Sequence, residues 1–489
     1  MSFFIEQHAD FYRAIIYSNS PWIKDPLRMR VPEHFKREVF FRVKKQMEAS
    51  RKMAVLIKGP RRVGKTEIQK QLIWYLIRER KIDPKKVLYL SFDDVQIQSE
   101  RPGNRERFVQ AILNQWAQML GWDTYDEIDT DAYCFFDEVQ VVDGWANLIK
   151  NRVERNPKIR IVLSGSAAHS IFEKSLKILL GRVISEKLPT FSFREFLEKN
   201  DLIERNILET LYTIQLEFER DLSVEKLFAN LKNLLSSLRH DTFHSHVARY
   251  LREGGFPQLW KIESDNVIEK AHFIDENYVK KVTLEDLMLL QQIKKPELYE
   301  RLLRHLFARP GQEYNQNKVA SVLGTTAVTL ADGMHLLEQT DLLIFVEKFS
   351  HKAEPLKRRN IKIYPTDLML TFATTKTIPT LDNDDTKGAV AESLVAQTIS
   401  RLRGIGNIAY MQTEAFKKAG EVDFYIRADN HDCPIEVKYQ HHIRSEDTAF
   451  LRNLIGERAL SGGLLITPES WEIHQKIFTI PLWAWMLVS

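Results

Sequence analysis

The chain has 489 residues, of which 44% are hydrophobic, which is typical of a globular protein with roughly two to four domains. Its formal net charge of +4 permits nucleic-acid binding without requiring it. It contains no apolar stretch of about 18 residues that could span a membrane, and we expect no export signal. Cys134 and Cys433 lie in apolar runs, so we expect buried reduced thiols and a cytoplasmic location.

The first half of the chain alternates strand-like and helix-like segments. Residues 1–50 predict a helical segment, and residues 51–196 contain four short apolar runs. These runs are MAVLIKGP, KVLYLSFDD, YCFFDEVQ and IRIVLSGS. Helical patterns separate them, which predicts a parallel sheet covered on both faces by helices.

The second half predicts three further segments. Residues 197–310 have a helical pattern without strand signals. Residues 311–380 contain two short helices split at Gly324, followed by the runs LLIFVEKF and NIKIYPTD, an order that matches a winged helix-turn-helix. After a polar, Pro-containing linker, residues 381–489 predict one more α/β domain.

A phosphate-binding motif occupies the first strand-to-helix connection. The segment GPRRVGKT consists of Gly59, Pro60, Arg61, Arg62, Val63, Gly64, Lys65 and Thr66. It fits G-x-x-x-x-G-K-[ST], in which backbone N–H groups and a helix N-terminus surround phosphate oxygens. We expect Lys65 to contact the outer phosphates and Thr66 to bind Mg²⁺. A chance glycine-rich turn is the alternative, and the strand–loop–helix context argues against it.

Four residues further along could complete a nucleotide site for ATP and Mg²⁺. Asp137 ends an apolar strand, where it could hold the Mg²⁺ shell, and Glu138 could orient the attacking water. Ser164 could contact the γ-phosphate, with a strand-ending turn as the alternative. Arg182 could neutralise phosphate charge within the subunit or across to another, with a plain surface arginine as the alternative.

The six motifs GPRRVGKT, FFDEVQ, IVLSGSAA, LLGRV, PTFSFREFL and YLREGGFP follow one another along the chain. They resemble a family of bacterial and archaeal AAA-type, STAND-like ATPases that carry a C-terminal winged helix and a restriction-endonuclease-like module. The resemblance implies sensor roles for Ser164 and Arg182. One departure is Glu67, where the family usually has a second Thr or a small residue, and an acid there could weaken nucleotide affinity.

The resemblance and the patterns together predict an α/β fold with five segments. These are an N-terminal helical segment (1–50), a P-loop ATPase core (51–196), a helical lid (197–310), a winged helix (311–380) and a PD-(D/E)xK nuclease-like domain (381–489).

Acidic residues near the end of the chain fit the D-(x)n-E-x-K pattern of PD-(D/E)xK nucleases. Asp423 lies in one strand, and Glu436 and Lys438 lie two apart in another, so they share a face. With Glu392 from a preceding helix, Asp423 and Glu436 could hold Mg²⁺ or Mn²⁺, which polarises a phosphodiester, while Lys438 orients water. Without a cation the acids repel each other, so we expect a raised pKa. Charged residues alternating on a surface strand are the alternative.

A basic tip separates the two strands of the predicted winged helix. Lys352, Lys357, Arg358 and Arg359 could contact nucleic-acid phosphates. The predicted recognition helix carries no Arg or Lys, so a protein-packing lid is an equal alternative.

The leading interpretation is an ATP-dependent nuclease acting on nucleic acid, with DNA favoured. The rival is a nucleotide switch that binds DNA or a protein partner and whose nuclease-like module is silent. A homo-oligomer is compatible with both interpretations, and neither requires a membrane.

Overall fold

The computed structural model describes residues 2–49, 53–166, 177–263, 266–283, 296–349, 361–413, 420–428 and 431–489. The chain divides into two compact units, Met1–Leu188 and Pro189–Ser489. Among the described helices, none is long and apolar enough to cross a membrane.

The first unit is built on a five-stranded parallel sheet in the order β2-β3-β4-β1-β5. Its strands are β1 (Ala54–Gly59), β2 (Val87–Ser91), β3 (Ala132–Asp137), β4 (Ile159–Ser166) and β5 (Val183–Lys187). Its described helices are α1 (Ser2–Asn19), α2 (Glu38–Ala49), α3 (Lys65–Trp74), α4 (Val95–Ser99), α5 (Arg105–Met119) and α6 (Trp145–Arg155). A π-helical turn, Tyr75–Glu79, extends α3.

Burial explains why the apolar runs form this sheet. Every residue of β3 is buried, as expected of a parallel strand covered on both faces. Trp116 of α5 and Trp145 of α6 are fully buried in the same unit. Cys134 is a buried free thiol, as is Cys433 in the second unit. The predicted parallel sheet and buried reduced thiols are therefore confirmed.

The second unit begins with helices and ends with a mixed sheet. Its described helices are α7 (Phe193–Lys199), α8 (Arg205–Asp221), α9 (Val224–Leu235), α10 (His240–Glu253), α11 (Val267–Ile274), α12 (Pro296–Phe307), α13 (Gln316–Leu323), α14 (Ala327–Glu338), α15 (Leu368–Thr375), α16 (Lys387–Arg401), α17 (Ala449–Glu457) and α18 (Leu482–Met486). A π-helical segment, Asp275–Lys280, follows α11. The helices and sheet share one core, in which the rings of Phe218 and Trp485 lie 6.0 Å apart.

The sheet of the second unit has eight strands in the order β12-β13-β11-β10-β9-β8-β6-β7. The strands are β6 (Leu343–Lys348), β7 (Ile361–Pro365), β8 (Ala409–Thr413), β9 (Gly420–Ala428), β10 (His431–Val437), β11 (Gly463–Thr467), β12 (Glu472–His474) and β13 (Ile477–Pro481). The hairpin β6–β7 joins the C-terminal strands through a parallel pairing of β6 with β8. Strands on both sides of residue 380, where the sequence predicts a domain boundary, therefore belong to one sheet.

The two helices predicted before this hairpin are present. Gly324 ends α13 in a left-handed conformation with a φ of 65°, and Thr326 caps α14 by accepting a hydrogen bond from the Thr329 N–H (3.3 Å). The basic tip with Lys352, Lys357, Arg358 and Arg359 lies outside the described residues. A winged helix that contacts nucleic acid therefore stays a prediction.

Candidate functional site

The loop between β1 and α3 has the backbone shape that the phosphate-binding motif requires. Gly64 caps α3 with a φ of 103°, a left-handed conformation that favours glycine. A Cβ atom on Gly59 would lie 2.1 Å from the carbonyl oxygen of Leu188, so only glycine fits there. Helix α3 begins at Lys65, directly after the loop, and its N-terminal N–H groups are available to an anion.

The Lys65 side chain lies along this loop. It is only 4% exposed, and its ammonium donates to the carbonyl oxygens of Gly59 (3.0 Å) and Pro60 (2.7 Å). Both acceptors are neutral and belong to the loop itself. A phosphate would offer the ammonium charged acceptors, which form hydrogen bonds roughly twice as strong.

Asp137, at the end of β3, links the other predicted residues of this site. Its Oδ2 accepts hydrogen bonds from Thr66 Oγ1 (2.7 Å) and from the Tyr89 hydroxyl (2.9 Å). The hydroxyl of Ser164, which is fully buried on β4, donates to the other carboxylate oxygen. The structure therefore brings together Thr66, Asp137 and Ser164 at the carboxyl edge of the sheet.

Tyr89 is a member of this site that the sequence analysis missed. Burial and the Asp137 charge raise the pKa of its hydroxyl, so the hydroxyl stays protonated and donates to the carboxylate. The register of β2 on β3 pairs Ser91 with Asp137, which places Tyr89 on the adjacent strand. Sequence could have pointed to it only if this strand order had been known.

Glu138 follows Asp137 in a strained turn. It has a left-handed φ of 52°, and its backbone N–H donates to Asp137 Oδ1 (3.2 Å). Its carboxylate accepts a hydrogen bond from the Gln140 side-chain amide. The role of Glu138 in orienting water stays a prediction.

Arg182 lies at the opposite edge of the sheet. Its carbonyl oxygen accepts from the N–H of Ala54 (2.8 Å), the first residue of β1, whereas the phosphate loop follows the last residue. Strand β1 has six residues, which separates the two edges by about 17 Å. Its guanidinium pairs with Glu154 (2.5 Å). The structure does not bring Arg182 to the loop of its own chain, and a role across subunits stays a prediction.

The Glu67 side chain has a partner away from the loop. Its carboxylate accepts a hydrogen bond from the backbone N–H of Glu33 (2.7 Å), and Gln71, one turn later, donates to the carbonyl oxygens of Glu33 (2.9 Å) and Phe35 (2.8 Å). Helix α3 is thus hydrogen-bonded to the segment that precedes α2. The departure from the family pattern at Glu67 has a structural explanation in this contact.

The second unit gathers the acids of the D-(x)n-E-x-K pattern. Strands β9 and β10 are antiparallel, with Phe424 opposite Ile435, which places Asp423 beside Glu436. The backbone N–H of Val437 donates to Asp423 Oδ2 (2.9 Å), and that of Asp423 donates to Glu436 Oε2 (3.4 Å). The Lys438 ammonium forms an ion pair with Glu436. Asp423, Glu436 and Lys438 therefore lie together, although Lys438 directly follows the last residue of β10 and is not part of the strand.

Strand β7 contributes two residues that the sequence analysis missed. The Tyr364 hydroxyl donates to Glu392 Oε2 (3.0 Å). The Lys362 ammonium lies 3.7 Å from Asp423 Oδ1 and forms a second ion pair with Glu421. Lys362 and Tyr364 are two apart on one strand, so they share a face. We call Glu392, Asp423, Glu436, Lys438, Glu421, Lys362 and Tyr364 the acid–lysine cluster.

Burial dominates the electrostatics of the acid–lysine cluster. It raises the pKa of Glu436 to about 8 and that of Glu392 to about 7, and the Asp423 charge adds to both shifts. Burial also raises the pKa of Asp423 itself. Burial lowers the pKa of Lys362, but the charges of Asp423 and Glu421 outweigh it and the net shift is upward. Repulsion between the acids, from which the sequence predicts a raised carboxylate pKa, is thus a smaller cause of these shifts than burial.

The donor types suit a hard divalent cation such as Mg²⁺ or Mn²⁺. Glu392, Asp423 and Glu436 would hold it. In the described part of the chain, however, no three His, Cys, Asp or Glu side chains converge closely enough to hold a metal ion. Lys362 and Lys438 instead form ion pairs with Asp423 and Glu436.

Comparison with family models identifies three segments. Residues 51–197 match a family described as an AAA domain. Residues 244–379 and 387–485 match two families described as domains of unknown function, DUF8612 and DUF4143.

Three curated relatives are all described as uncharacterized proteins. MJ1637 of Methanocaldococcus jannaschii is 25% identical over 66% of this chain and 63% of its own length. MJ1544 of the same organism is 22% identical over 79% of this chain and 74% of its own length. A Haemophilus influenzae protein is 22% identical over 64% of this chain and 66% of its own length. The chain thus spans less than two thirds of the length of the first of these relatives.

Several solved structures align with parts of the chain. AMPPCP-bound DnaA from Aquifex aeolicus aligns over 63% of this chain and 90% of its own, with 15% identity and a TM-score of 0.24. A DNA polymerase III gamma subunit-related protein from Thermotoga maritima aligns over 62% of this chain and 97% of its own, with 15% identity and a TM-score of 0.25. At these scores the likeness carries no functional conclusion.

The matched family model and the loop geometry agree on the first unit. The G-x-x-x-x-G-K-[ST] loop, its helix and Asp137 all lie within the matched residues 51–197. Both support ATP binding and hydrolysis. The chain carries an AAA-type P-loop ATPase domain at residues 51–197.

Proposed function

We propose that this protein hydrolyses ATP in its first unit and uses that cycle to control cleavage of nucleic acid, with DNA as the favoured substrate, by its second unit. The observation that carries the cleavage proposal is the acid–lysine cluster. In it, Asp423 and Glu436 are buried side by side on paired strands and Lys438 contacts Glu436. Buried carboxylates with raised pKa values are typical of functional sites.

At the phosphate loop, each residue has a role that follows from its position. Lys65 and the N–H groups of the loop hold the phosphates, while Thr66 and Asp137 hold the Mg²⁺ ion that accompanies ATP. Ser164 and Tyr89 orient Asp137 through hydrogen bonds. Glu138 orients the attacking water in this proposal.

At the acid–lysine cluster, a divalent ion held by Glu392, Asp423 and Glu436 would polarise the phosphodiester and lower the pKa of a bound water. The Lys438 side chain is 30% exposed, so its ammonium can meet a phosphate from solvent while it contacts Glu436. The basic tip with Lys352, Lys357, Arg358 and Arg359 would contact the nucleic-acid backbone.

A second candidate is a nucleotide-dependent switch that binds DNA or a protein and cuts nothing. One observation favours it: Lys362 and Lys438 already pair with acids of the cluster. Buried acids without a counter-ion destabilise a protein, so a nuclease fold that has lost its activity would also need such lysine–acid ion pairs.

Cleavage assays separate the two candidates. Wild type, Asp423→Ala and Lys438→Ala are incubated with Mg²⁺ or Mn²⁺, with and without ATP, and with single- and double-stranded DNA and RNA. We expect wild type to cut at least one substrate, Asp423→Ala to lose cleavage and metal binding together, and Lys438→Ala to lose cleavage while it still binds metal. If wild type cuts none of these substrates and binds no metal, the switch is the better account.

A further inference from the structure

The strand β7 places a buried positive charge inside the acid–lysine cluster. All five residues of β7 are buried, and Lys362 is 8% exposed. Its ammonium lies 5.4 Å from the centre of the Tyr410 ring, and its charged partners are Asp423 and Glu421. Burial of an ammonium costs free energy unless acids surround it, so the acids of the cluster are what stabilise a lysine at position 362.

Lys362 contacts the same carboxylate that a divalent ion would need. Its ammonium is 3.7 Å from Asp423 Oδ1, while Asp423 Oδ2 accepts from the Val437 N–H. Among the hydrogen bonds described for Asp423, the backbone donor therefore contacts Oδ2, and Oδ1 is the oxygen that faces Lys362. A divalent ion and an ammonium at this oxygen would repel each other strongly at such a distance in a buried site.

The structure also offers Lys362 another partner if it leaves Asp423. Glu421 lies two residues earlier on β9, pairs with the same ammonium and is 30% exposed, whereas the Asp423 side chain is 11% exposed. A lysine side chain is a flexible stem with a point charge at its end. A small shift outward would keep its pair with Glu421 and free Asp423.

Tyr364, on the same face of β7, contacts the third acid. Its hydroxyl donates to Glu392 Oε2, so β7 contacts both Glu392 and Asp423, which come from different elements. Side chains of one strand therefore contact two of the three carboxylates.

We propose that Lys362 is a built-in counter-cation that competes with a divalent metal ion for Asp423, so that the acid–lysine cluster binds the metal ion more weakly until the ammonium moves away. This inference rests on the proposed function of the cluster as a metal site. Lys362 is then a residue that sets the metal affinity, and it does not act on the substrate.

The test measures Mn²⁺ binding to the full chain without nucleotide or nucleic acid, by calorimetry and by the electron paramagnetic resonance signal of free Mn²⁺. Lys362→Gln removes the charge, and Lys362→Arg keeps it. Lys348→Gln is the matched control, because Lys348 lies on the paired strand β6 and donates to Gln412 (3.0 Å) outside the cluster.

We expect Lys362→Gln to bind Mn²⁺ at least about tenfold more tightly than wild type, because a repelling charge beside Asp423 is gone. Lys362→Arg and Lys348→Gln should bind no more tightly than wild type. The gain should disappear in the double variant Lys362→Gln, Asp423→Ala. Equal or weaker Mn²⁺ binding by folded Lys362→Gln would overturn the inference.

A measurement on wild type covers the case in which Lys362→Gln fails to fold. An amine-reactive reagent followed by mass spectrometry reports how accessible each lysine is. Saturating Mg²⁺ should increase the modification of Lys362 and leave that of Lys348 unchanged. Unchanged modification of Lys362 at a metal concentration that calorimetry shows to be saturating would overturn the inference.

These outcomes separate the inference from the proposed cleavage activity. Tighter Mn²⁺ binding by Lys362→Gln without cleavage of any substrate would support the counter-cation and contradict the nuclease. Metal-dependent cleavage by wild type, with Mn²⁺ affinity unaffected by Lys362→Gln, would support the nuclease and contradict the counter-cation.

Discussion

Replacing Glu436 by glutamine should make the protein more stable at alkaline pH, although it removes one partner of an ion pair. Glu436 is 4% exposed, and its pKa is raised from 4.5 to about 8 by burial and by the Asp423 charge, despite Lys438. For an acid with a raised folded-state pKa, the protonated form favours folding. Its contribution is complete below pH 4.5 and is lost as the pH rises through about 8. Glutamine resembles the protonated acid at every pH.

The size of the effect follows from the shift. One pKa unit corresponds to about 1.4 kcal/mol, so the full shift would correspond to about 5 kcal/mol. Glu392 and Asp423 titrate in the same buried cluster, so only a part of this free energy belongs to Glu436 alone. We expect Glu436→Gln to match wild type at pH 5 and to exceed its free energy of unfolding by on the order of 2–4 kcal/mol at pH 9.

Urea unfolding in the presence of a chelator tests this expectation at both pH values. Tryptophan fluorescence follows the unfolding of both units, because Trp116 and Trp145 are buried in the first and Trp483 and Trp485 in the second. The expected difference lies in the transition of the second unit. Glu457→Gln, an exposed substitution on α17, is the matched control and should not change the pH dependence. If the difference between Glu436→Gln and wild type is the same at pH 5 and pH 9, the inference that burial raises the pKa of Glu436 is refuted.

Three further predictions concern the phosphate loop. Lys65→Ala should weaken ATP binding by about a hundredfold or more in calorimetry, because a charge-assisted hydrogen bond contributes about 1.5–3 kcal/mol and Lys65 would contact two phosphates. Lys70→Ala, an exposed substitution on the same helix, should bind ATP like wild type. Glu138→Gln should bind ATP like wild type but hydrolyse it much more slowly in a phosphate-release assay, and equal turnover would exclude its catalytic role. Ser164→Ala should slow hydrolysis roughly tenfold or more through loss of its hydrogen bond to Asp137, and an unchanged rate would make that contact structural only.

The phosphate loop was predictable because its determinants are contiguous. Eight neighbouring residues define the backbone shape, and the strand before it and the helix after it show clear patterns. Asp137 and Ser164 were predictable for a related reason: parallel strands place their carboxyl ends at one edge, so residues that end such strands meet. Arg182 was harder to place, because it precedes β5 and so lies at the other edge of the same sheet.

The acid–lysine cluster shows where prediction from sequence stops. Asp423, Glu436 and Lys438 follow from strand periodicity and the pairing of neighbouring strands. Lys362 and Tyr364 do not, because about 60 residues separate Lys362 from Asp423 and two strands, β8 and β6, lie between β9 and β7 in the sheet order. Sequence patterns also suggested separate winged-helix and C-terminal domains, whereas the pairing of β6 with β8 puts their strands into one sheet.

We propose that ATP hydrolysis controls cleavage by the acid–lysine cluster, and the response of DNA cleavage to ATP distinguishes this proposal from its alternatives. The rate at which wild type and Lys65→Ala cut the same labelled DNA is measured with Mg²⁺, with and without ATP. We predict that wild type cuts at a rate that depends on ATP and that Lys65→Ala shows no response to ATP. The proposal would be contradicted if both proteins cut the DNA at the same rate with and without ATP. It would also be contradicted if wild type cut no DNA under either condition.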